Sequence, residues 1–339
     1  MIPIAIAPGG TWLGVADSLN ILPEVTRKLI PQCEDAFPDG TLILPGDTSF
    51  NGLTVLTKDG QHDVGLDLVF PVLHGTFGED GTIQGLLEMA GIPYVGCGVL
   101  ASSCGMDKVV MKVLFQEAGL PICKHVWFLR SHWEADRAAI TNRIEETLGY
   151  PCFVKPANLG SSVGVSRADD VATLVDAIVA AAAYDRKIII EEALDMREIE
   201  CAVIGNEDPE ASLPGEYIIR NEDKKFLDYT EKYSGTGNNE FVVPSPVPEN
   251  ISDKIREMAL RAFKAIDGSG LSRVDFFLRN DTGELLVKEI NTMPGLTDAS
   301  GFPKMWAASG KSFPEVIDVL ISLAFQRSED RARNRTSLQ

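Results

Sequence analysis

Residues 151–164 read Pro-Cys-Phe-Val-Lys-Pro-Ala-Asn-Leu-Gly-Ser-Ser-Val-Gly, an apolar run that leads into a loop of small residues. This pattern predicts a short buried strand followed by a glycine-serine loop. Lys155 stands at the end of the strand, where its ammonium and the free backbone N–H groups of the loop can surround phosphate oxygens. The lysine precedes the glycines, so the segment is not a Walker A motif. The alternative to a phosphate-binding loop is a plain turn that binds no ligand.

The segments on either side of this loop complete a central unit. Residues 106–119 have a helical pattern that is closed by Gly119, residues 168–183 predict a second helix, and residues 187–192 predict another strand. The natural limits of this central domain are residues 106 and 200.

The region before it, residues 1–105, predicts an α/β domain with a parallel sheet. Apolar runs at residues 2–7 and 66–73 each end in a glycine-rich turn. His74 opens the second turn, which reads HGTFGEDGTIQG over residues 74–85. Ligands bind at the carboxyl ends of strands in open α/β sheets, so His74 is a candidate site residue. The alternative is a buried or capping histidine.

The region after it, residues 201–330, contains an apparent hairpin of residues 272–278 and 285–290. Asp275 lies on the first strand, and Glu289 and Asn291 project together from the second because they are two residues apart. Their oxygen atoms suit Mg²⁺, although hairpin carboxylates can also be merely solvated. Arg273 shares the face of Asp275. Residues 331–339 end the chain within a polar stretch, SEDRARNRTSLQ, that we expect to fray.

Composition limits the possible partners. The chain has 339 residues, a formal net charge of −18, 45% hydrophobic residues and 24% charged residues. The acidic excess argues against nucleic acid and anionic membranes as partners. We expect a cytoplasmic protein, because no apolar run is long enough to span a bilayer and the N-terminus lacks signal-peptide features. Its six cysteines form no CxxC pair, so we expect reduced, mostly buried thiols.

Taken together, these segments resemble the D-alanine–D-alanine ligase family, a branch of the ATP-grasp enzymes, over nearly the whole chain. The blocks that carry the resemblance are HGTFGEDGTIQG, MDK, VKPANLGSSVGVS, REIE, EKYS, SRVDFF and KEINTMPGLT. The resemblance implies a three-domain ATP-grasp fold: an N-terminal α/β domain, then two α+β domains with ATP between them. It also implies a homodimer.

The resemblance further assigns roles to individual residues. ATP would be bound by Lys108, Lys155, Ser161, Ser162, Glu191, Glu192, Ala193, Leu194, Glu198 and Lys232. Two Mg²⁺ ions, for which Mn²⁺ could substitute, would be bound by Asp275, Glu289 and Asn291. The catalytic set would be Arg273, Ser161, Tyr233 and Gly295, with Arg273 and the Gly295 N–H at the oxyanion. Amino acids would be bound by His74, Ser300, Gly301 and Gly14, and Lys232 and Tyr233 would lie in a closing lid.

Two of these substrate-side positions depart from the family. Gly14 stands where the family carries a glutamate that holds the amino group of the first D-alanine, and Asp17 could replace that carboxylate. Gly301 stands where the family has a large apolar residue, so we expect a wider pocket for the second amino acid. The ATP and magnesium positions match the family.

The expected activity is ATP-dependent ligation of two amino acids through an acyl phosphate, with D-alanine and D-alanine as the leading pair for peptidoglycan synthesis. A different amino-acid pair is the alternative that Gly14 and Gly301 favour. A D-lactate-using ligase is disfavoured by Tyr233, and a non-catalytic nucleotide-binding module is disfavoured by the full set of ATP and metal residues.

Overall fold

The computed structural model describes residues 2–7, 10–21, 40–160, 163–219 and 239–335. Two compact units divide the chain. The first contains Met1–Val69 and Gly85–Tyr94, and the second contains Phe70–Gln84 and Val95–Gln339. The observed fold mixes helices with largely antiparallel sheets, as expected for an α+β protein of several domains.

The first unit holds a small antiparallel sheet rather than the parallel sheet predicted from sequence. Its strands are β1 (Thr41–Ile43), β2 (Gly52–Thr57) and β3 (Gly60–Gly65), in that order. Only two residues join β2 to β3, and so short a connection permits only antiparallel pairing. Of the predicted strands, residues 2–7 and 66–73 contribute only isolated bridges, and the one at Val69 is parallel. Helix α1 (Val15–Asn20) follows the first turn, and helix α2 (Thr82–Ala90) runs across the boundary between the units.

The second unit contains two sheets, of which the first corresponds to the predicted central domain. Its strands are β4 (His125–Leu129), β5 (Cys152–Pro156), β6 (Ser166–Ala168) and β7 (Lys187–Glu192), in the order β4-β7-β5-β6. Helices α5 (Arg130–Ala135), α6 (Arg137–Thr147) and α7 (Val171–Tyr184) accompany these strands. Val154 and Ile190 pack against Leu174 and Ile178 of α7 in one apolar core.

The second sheet contains the predicted hairpin. Its strands are β8 (Met196–Gly205), β9 (Glu210–Ala211), β10 (Gly215–Ile219), β11 (Asn239–Val242), β12 (Gly270–Arg279) and β13 (Leu285–Asn291). The order is β11-β10-β8-β12-β13, with β9 beside β8. Strand β8 pairs with β12 along its whole length, so the predicted domain boundary at residue 200 falls inside a strand of this sheet.

The other described helices of the second unit are α3 (Val99–Met106), α4 (Lys108–Glu117), α8 (Glu249–Ala265), α9 (Gly301–Ala308) and α10 (Phe313–Ala332). Helix α8 packs on the second sheet. The Asp107 side chain accepts hydrogen bonds from the N–H groups of Val109 and Val110, so α4 begins later than predicted. The predicted polar tail is partly wrong, because residues 328–332 continue α10. No helix in the described ranges is both long and apolar enough to span a bilayer.

Five cysteines fall within the described residues, and all five are free thiols. Cys97, Cys123, Cys152 and Cys201 are buried, whereas Cys104 is partly exposed. Burial raises the pKa of Cys97, Cys123 and Cys152 to about 11, and that of Cys201 to about 12. This agrees with the prediction of buried, reduced cysteines for these positions.

We therefore expect Cys104 to react with iodoacetamide at pH 8 at least about tenfold faster than the four buried thiols, because only the accessible thiolate is nucleophilic. Peptide mass spectrometry of the native protein measures the order of labelling. Unfolding in urea should make the rates similar. Faster labelling of any of the four buried thiols would contradict the packing described above.

Candidate functional site

A cavity of about 370 Å³ in the second unit is lined by residues of both of its sheets. Its volume lies within the range of small-molecule pockets. Most of the residues predicted to bind ATP, metal or substrate or to act in catalysis line it, namely His74, Lys108, Lys155, Glu191, Glu192, Leu194, Glu198, Arg273, Glu289, Asn291, Gly295 and Ser300.

Three carboxylates form a row across neighbouring strands, and one of them, Glu289, lines this cavity. In β8, β12 and β13, the pairing register aligns Glu200 with Asp275, and Asp275 with Glu289. Asn291 donates a hydrogen bond from Nδ2 to Asp275 Oδ2 at 3.3 Å. The register therefore brings together the three predicted metal ligands and adds Glu200, which the sequence reasoning missed.

Arg273 neutralises much of this negative charge. Its Nε and Nη2 donate to the two oxygens of Asp275, each at 2.7 Å, and Nε lies 3.4 Å from Glu200 Oε2. Burial disfavours its charge, but Asp275 and Glu200 outweigh that effect and raise the pKa of Arg273. A permanent cation is thus held at the carboxylate row by a bidentate pair.

Three lysines line the cavity opposite and beside the row. Lys108 donates from Nζ to the Leu159 carbonyl at 2.6 Å, and burial lowers the pKa of Lys108. Lys155 lies at the end of β5, as predicted. Lys288, which the sequence reasoning missed, has its Nζ 3.3 Å from Glu198 Oε2 and 3.5 Å from Glu289 Oε1. A cavity with this many ammonium groups suits a polyanionic ligand.

Glu191 is the centre of a buried ion-pair network. Its two oxygens lie 2.9 Å from Lys112 Nζ and 2.5 Å from Lys155 Nζ, and the side chains of Lys112 and Glu191 are 1% and 5% exposed. Burial alone would raise its pKa, but the two ammonium groups outweigh burial and hold the pKa of Glu191 well below its usual range. The Glu191 side chain thus holds the Lys155 ammonium in place.

The neighbouring Glu192 is also anchored, since its Oε1 accepts a hydrogen bond from the Lys124 N–H at 2.7 Å. The N–H groups of Glu192 and Ala193 donate to the carbonyls of Lys124 and Pro151. Backbone bonds therefore fix the segment that follows β7 and place Leu194 at the cavity wall.

Two further predicted residues, Gly295 and Ser300, lie close together at the start of α9. Ser300 precedes this helix, and its Oγ lies 2.9 Å from Thr297 Oγ1. A Cβ added to Gly295 would lie 2.6 Å from Ser300 Oγ, so a larger residue there would force the Ser300 hydroxyl to move. His74 is exposed at the rim. Glu79, which the sequence reasoning also missed, accepts from the Gly75 N–H at 2.8 Å, and burial raises the pKa of Glu79.

The wider pocket expected at Gly301 is not seen, because the space beside this glycine is already occupied. An added Cβ would lie 2.7 Å from Phe241 Cζ and 2.8 Å from Glu200 Oε2. The Phe241 ring thus fills the volume that a larger residue would take, and Gly301 itself does not line the cavity. The predicted wider pocket is therefore not found at this position.

Other predicted residues are placed elsewhere. Gly14 lies in the first unit, where it immediately precedes α1, and offers no side chain. Ser161, Ser162, Lys232 and Tyr233 lie outside the described residues.

The missed residues carried weak signals. Lys112 lies one turn after Lys108 on α4, and Glu200 lies two residues after Glu198 on β8. Either spacing could have placed the pair on one face. Lys288 had no such signal, because simple alternation puts it opposite Glu289.

The fold and site define an ATP-grasp enzyme, an ATP-dependent ligase. Two family models match the chain, D-ala D-ala ligase N-terminus over residues 1–97 and D-ala D-ala ligase C-terminus over residues 114–322. The chain belongs to the D-alanine–D-alanine ligase family.

Individual relatives agree with this assignment. The D-alanine–D-alanine ligase of Acetivibrio thermocellus is 46% identical over 97% of this chain and 88% of its own length, and that of Heliobacterium modesticaldum is 45% identical over 97% and 86%. Two solved structures each give a TM-score of 0.79. The VanG D-Ala:D-Ser ligase from Enterococcus faecalis is 34% identical over 95% of this chain and 89% of its own. The D-alanine–D-alanine ligase from Coxiella burnetii is 30% identical over 97% and 85%.

We predict that Lys112→Met lowers the free energy of unfolding by about 3 kcal/mol, because it leaves the buried Glu191 carboxylate with one cation in place of two. Urea denaturation measures the change, and Lys254→Met on the exposed face of α8 is the matched control. The double variant Lys112→Met/Glu191→Gln should cost less than Lys112→Met alone. A change below about 1 kcal/mol in the single variant would contradict the network.

We also predict that Gly301→Leu destabilises the protein by about 1–3 kcal/mol through overpacking against Phe241 and Glu200. Adding Phe241→Ala should recover much of that loss, since it vacates the occupied volume. Thermal unfolding of the single and double variants tests this. Equal stability of Gly301→Leu and the wild type would show that the space is open.

Proposed function

We propose that this chain uses ATP to join two molecules of D-alanine through an acyl phosphate, forming D-alanyl-D-alanine for peptidoglycan synthesis. The observation that carries the proposal is the cavity lined by Arg273, Glu289, Lys108 and Lys155, with the buried Asp275 paired to both Arg273 and Glu289 behind its wall. The family membership and the names of the relatives support the choice of substrates.

In this proposal the lysines bind the ATP phosphates. Lys108 and Lys155 neutralise phosphate charge, and the Glu191 network keeps the Lys155 ammonium oriented toward the cavity. Glu198 binds the ribose hydroxyls and the segment of residues 191–194 borders the adenine. Positioning and charge stabilisation are the main catalytic contributions in phosphoryl transfer.

We propose that Asp275, Glu289 and Asn291 bind two Mg²⁺ ions. Within the described residues, no group of three or more His, Cys, Asp or Glu side chains could hold a metal by itself. Nucleotide-bound Mg²⁺ typically takes only one or two carboxylates, together with phosphate and water, so this ligand set fits. When bound, the ions would offset the charge of the transferred phosphoryl group.

The chemistry begins when a carboxylate oxygen of the first D-alanine attacks the γ-phosphorus of ATP, and ADP leaves. The deprotonated amine of the second D-alanine then attacks the acyl carbon. Arg273 and the Gly295 N–H stabilise the oxyanion, and inorganic phosphate leaves as the amide forms. Ser300, at the start of α9, binds the carboxylate of the second amino acid, where the helix N-terminus favours an anion.

A second candidate keeps this chemistry and changes the amino acids. Gly14 provides no carboxylate for the ammonium of the first substrate, and one structural neighbour is titled a D-Ala:D-Ser ligase. We rank this candidate second, because Asp17, three residues after Gly14 in the sequence, can supply a carboxylate and the space beside Gly301 is filled by Phe241.

We further propose a division into an N-terminal substrate domain of residues 1–105, a central domain, and a catalytic domain that starts with β8 rather than at residue 201. The continuous β8–β12 pairing supports moving that boundary. A homodimer in the cytoplasm remains our expectation for the assembled enzyme.

Measurement of ADP release with Mg-ATP and a panel of single and paired amino acids tests the function. Turnover with D-alanine alone, with D-alanyl-D-alanine identified by mass, is the expected result. Activity with a different pair and none with D-alanine would favour the second candidate. Absence of ADP release with every amino acid and pair tested would overturn the ligase proposal.

We predict that Asp275→Asn lowers kcat about a thousandfold, because it removes a charge that holds metal and orients Arg273. The isosteric change keeps the fold, which the thermal unfolding temperature verifies. Asp318→Asn, on the exposed face of α10, is the matched control and should retain wild-type kcat. Comparable turnover in the two variants would remove Asp275 from the site.

A further inference from the structure

Lys288 reaches the nucleotide cavity because of an irregularity in β13. Val287 pairs with Phe276 and Glu289 pairs with Asp275, so Lys288 is the extra residue of a β-bulge. Before the bulge, Leu285 and Val287 face the apolar core, and after it Ile290 does. The bulge thereby turns two consecutive side chains, those of Lys288 and Glu289, to the cavity face.

The position of the ammonium is set by three contacts. Its Nζ lies 3.3 Å from Glu198 Oε2, 3.5 Å from Glu289 Oε1 and 5.4 Å from the centre of the Phe277 ring. Both ion-pair distances exceed the 2.7–2.9 Å that is typical of a strong N⁺–H···O⁻ bond. An ammonium has three donors, so at these distances it can turn one of them toward a ligand oxygen.

We propose that Lys288 binds the α-phosphate of the nucleotide, as a third phosphate-binding lysine beside Lys108 and Lys155. This assignment rests on the proposed function, in which Glu198 binds the ribose and Glu289 binds a metal ion at the outer phosphates. The α-phosphate joins the ribose to those outer phosphates. A cation held between Glu198 and Glu289 therefore lies where the α-phosphate must pass.

The competing role for Lys288 is that of a counter-ion that only keeps Glu198 and Glu289 from repelling each other. The two roles differ in which ligands they affect. A phosphate contact changes the binding of AMP and leaves adenosine unchanged. A counter-ion that positions Glu198 changes the binding of both, because both carry the ribose.

The test compares adenosine, AMP and ADP as competitors of a fluorescent ATP analogue on the full-length wild type and Lys288→Met. AMP and adenosine are measured without Mg²⁺, so that Glu289 and its metal do not enter the comparison. We expect Lys288→Met to weaken AMP and ADP binding about tenfold each, with adenosine unchanged. Lys288→Arg should keep most of the affinity, and Lys254→Met should match the wild type.

Each other outcome has a defined meaning. Three results with Lys288→Met would overturn the α-phosphate assignment. These are equally weakened binding of adenosine and AMP, weakened binding of ADP alone, and unchanged binding of all three ligands. A loss that disappears at high ionic strength would also overturn it, since screening removes a distant field but not a direct contact. Failure of the wild type to bind ADP would instead overturn the proposed function. If Lys288→Met does not fold, Lys288→Gln gives the same comparison.

Discussion

The structure of the site depends on one constraint: several carboxylates lie side by side at the cavity wall, two of them buried, and each needs a cation. Glu200, Asp275 and Glu289 lie in register on three neighbouring strands, where like charges would repel one another. Arg273 offsets two of them through its bidentate pair with Asp275 and its approach to Glu200. Lys288 offsets Glu289. The acidic row is stable because basic side chains from two of its three strands, Arg273 of β12 and Lys288 of β13, lie beside it.

The same constraint connects the two sheets of the second unit. Lys112 of α4 and Lys155 of β5 both bind Glu191 of β7, and Lys112 Nζ also lies 3.5 Å from the Lys288 carbonyl of β13. A buried lysine with two such contacts fixes the distance between β7 in the first of these sheets and β13 in the second. Phosphoryl transfer relies on that distance, because its catalysis is mainly positioning.

Around Gly295 and Gly301 the structure is governed by side-chain volume rather than by charge. Gly301 and Gly295 both have close neighbours that a larger residue would displace, Phe241 and Glu200 at the first and Ser300 at the second. The glycine at 301 therefore does not mark an enlarged pocket. It marks a place where a neighbouring ring has taken the space, so a difference in residue size at one position does not translate directly into a difference in substrate size.

The sequence by itself determined the family, the hairpin that holds Asp275 and Glu289, and the helix and strand order around Lys155, because these depend on local periodicity and on ordered motifs. Tertiary structure decided what no local pattern encodes. The N-terminal strands pair antiparallel because a two-residue turn joins β2 and β3. Glu191 forms ion pairs with Lys112 and Lys155 because the fold places Lys112 of α4 beside β7. Lys288 faces the cavity because a bulge interrupts the alternation of β13. Side-chain direction after a bulge, and the partner of a buried charge, depend on pairing between distant segments, which only the folded chain specifies.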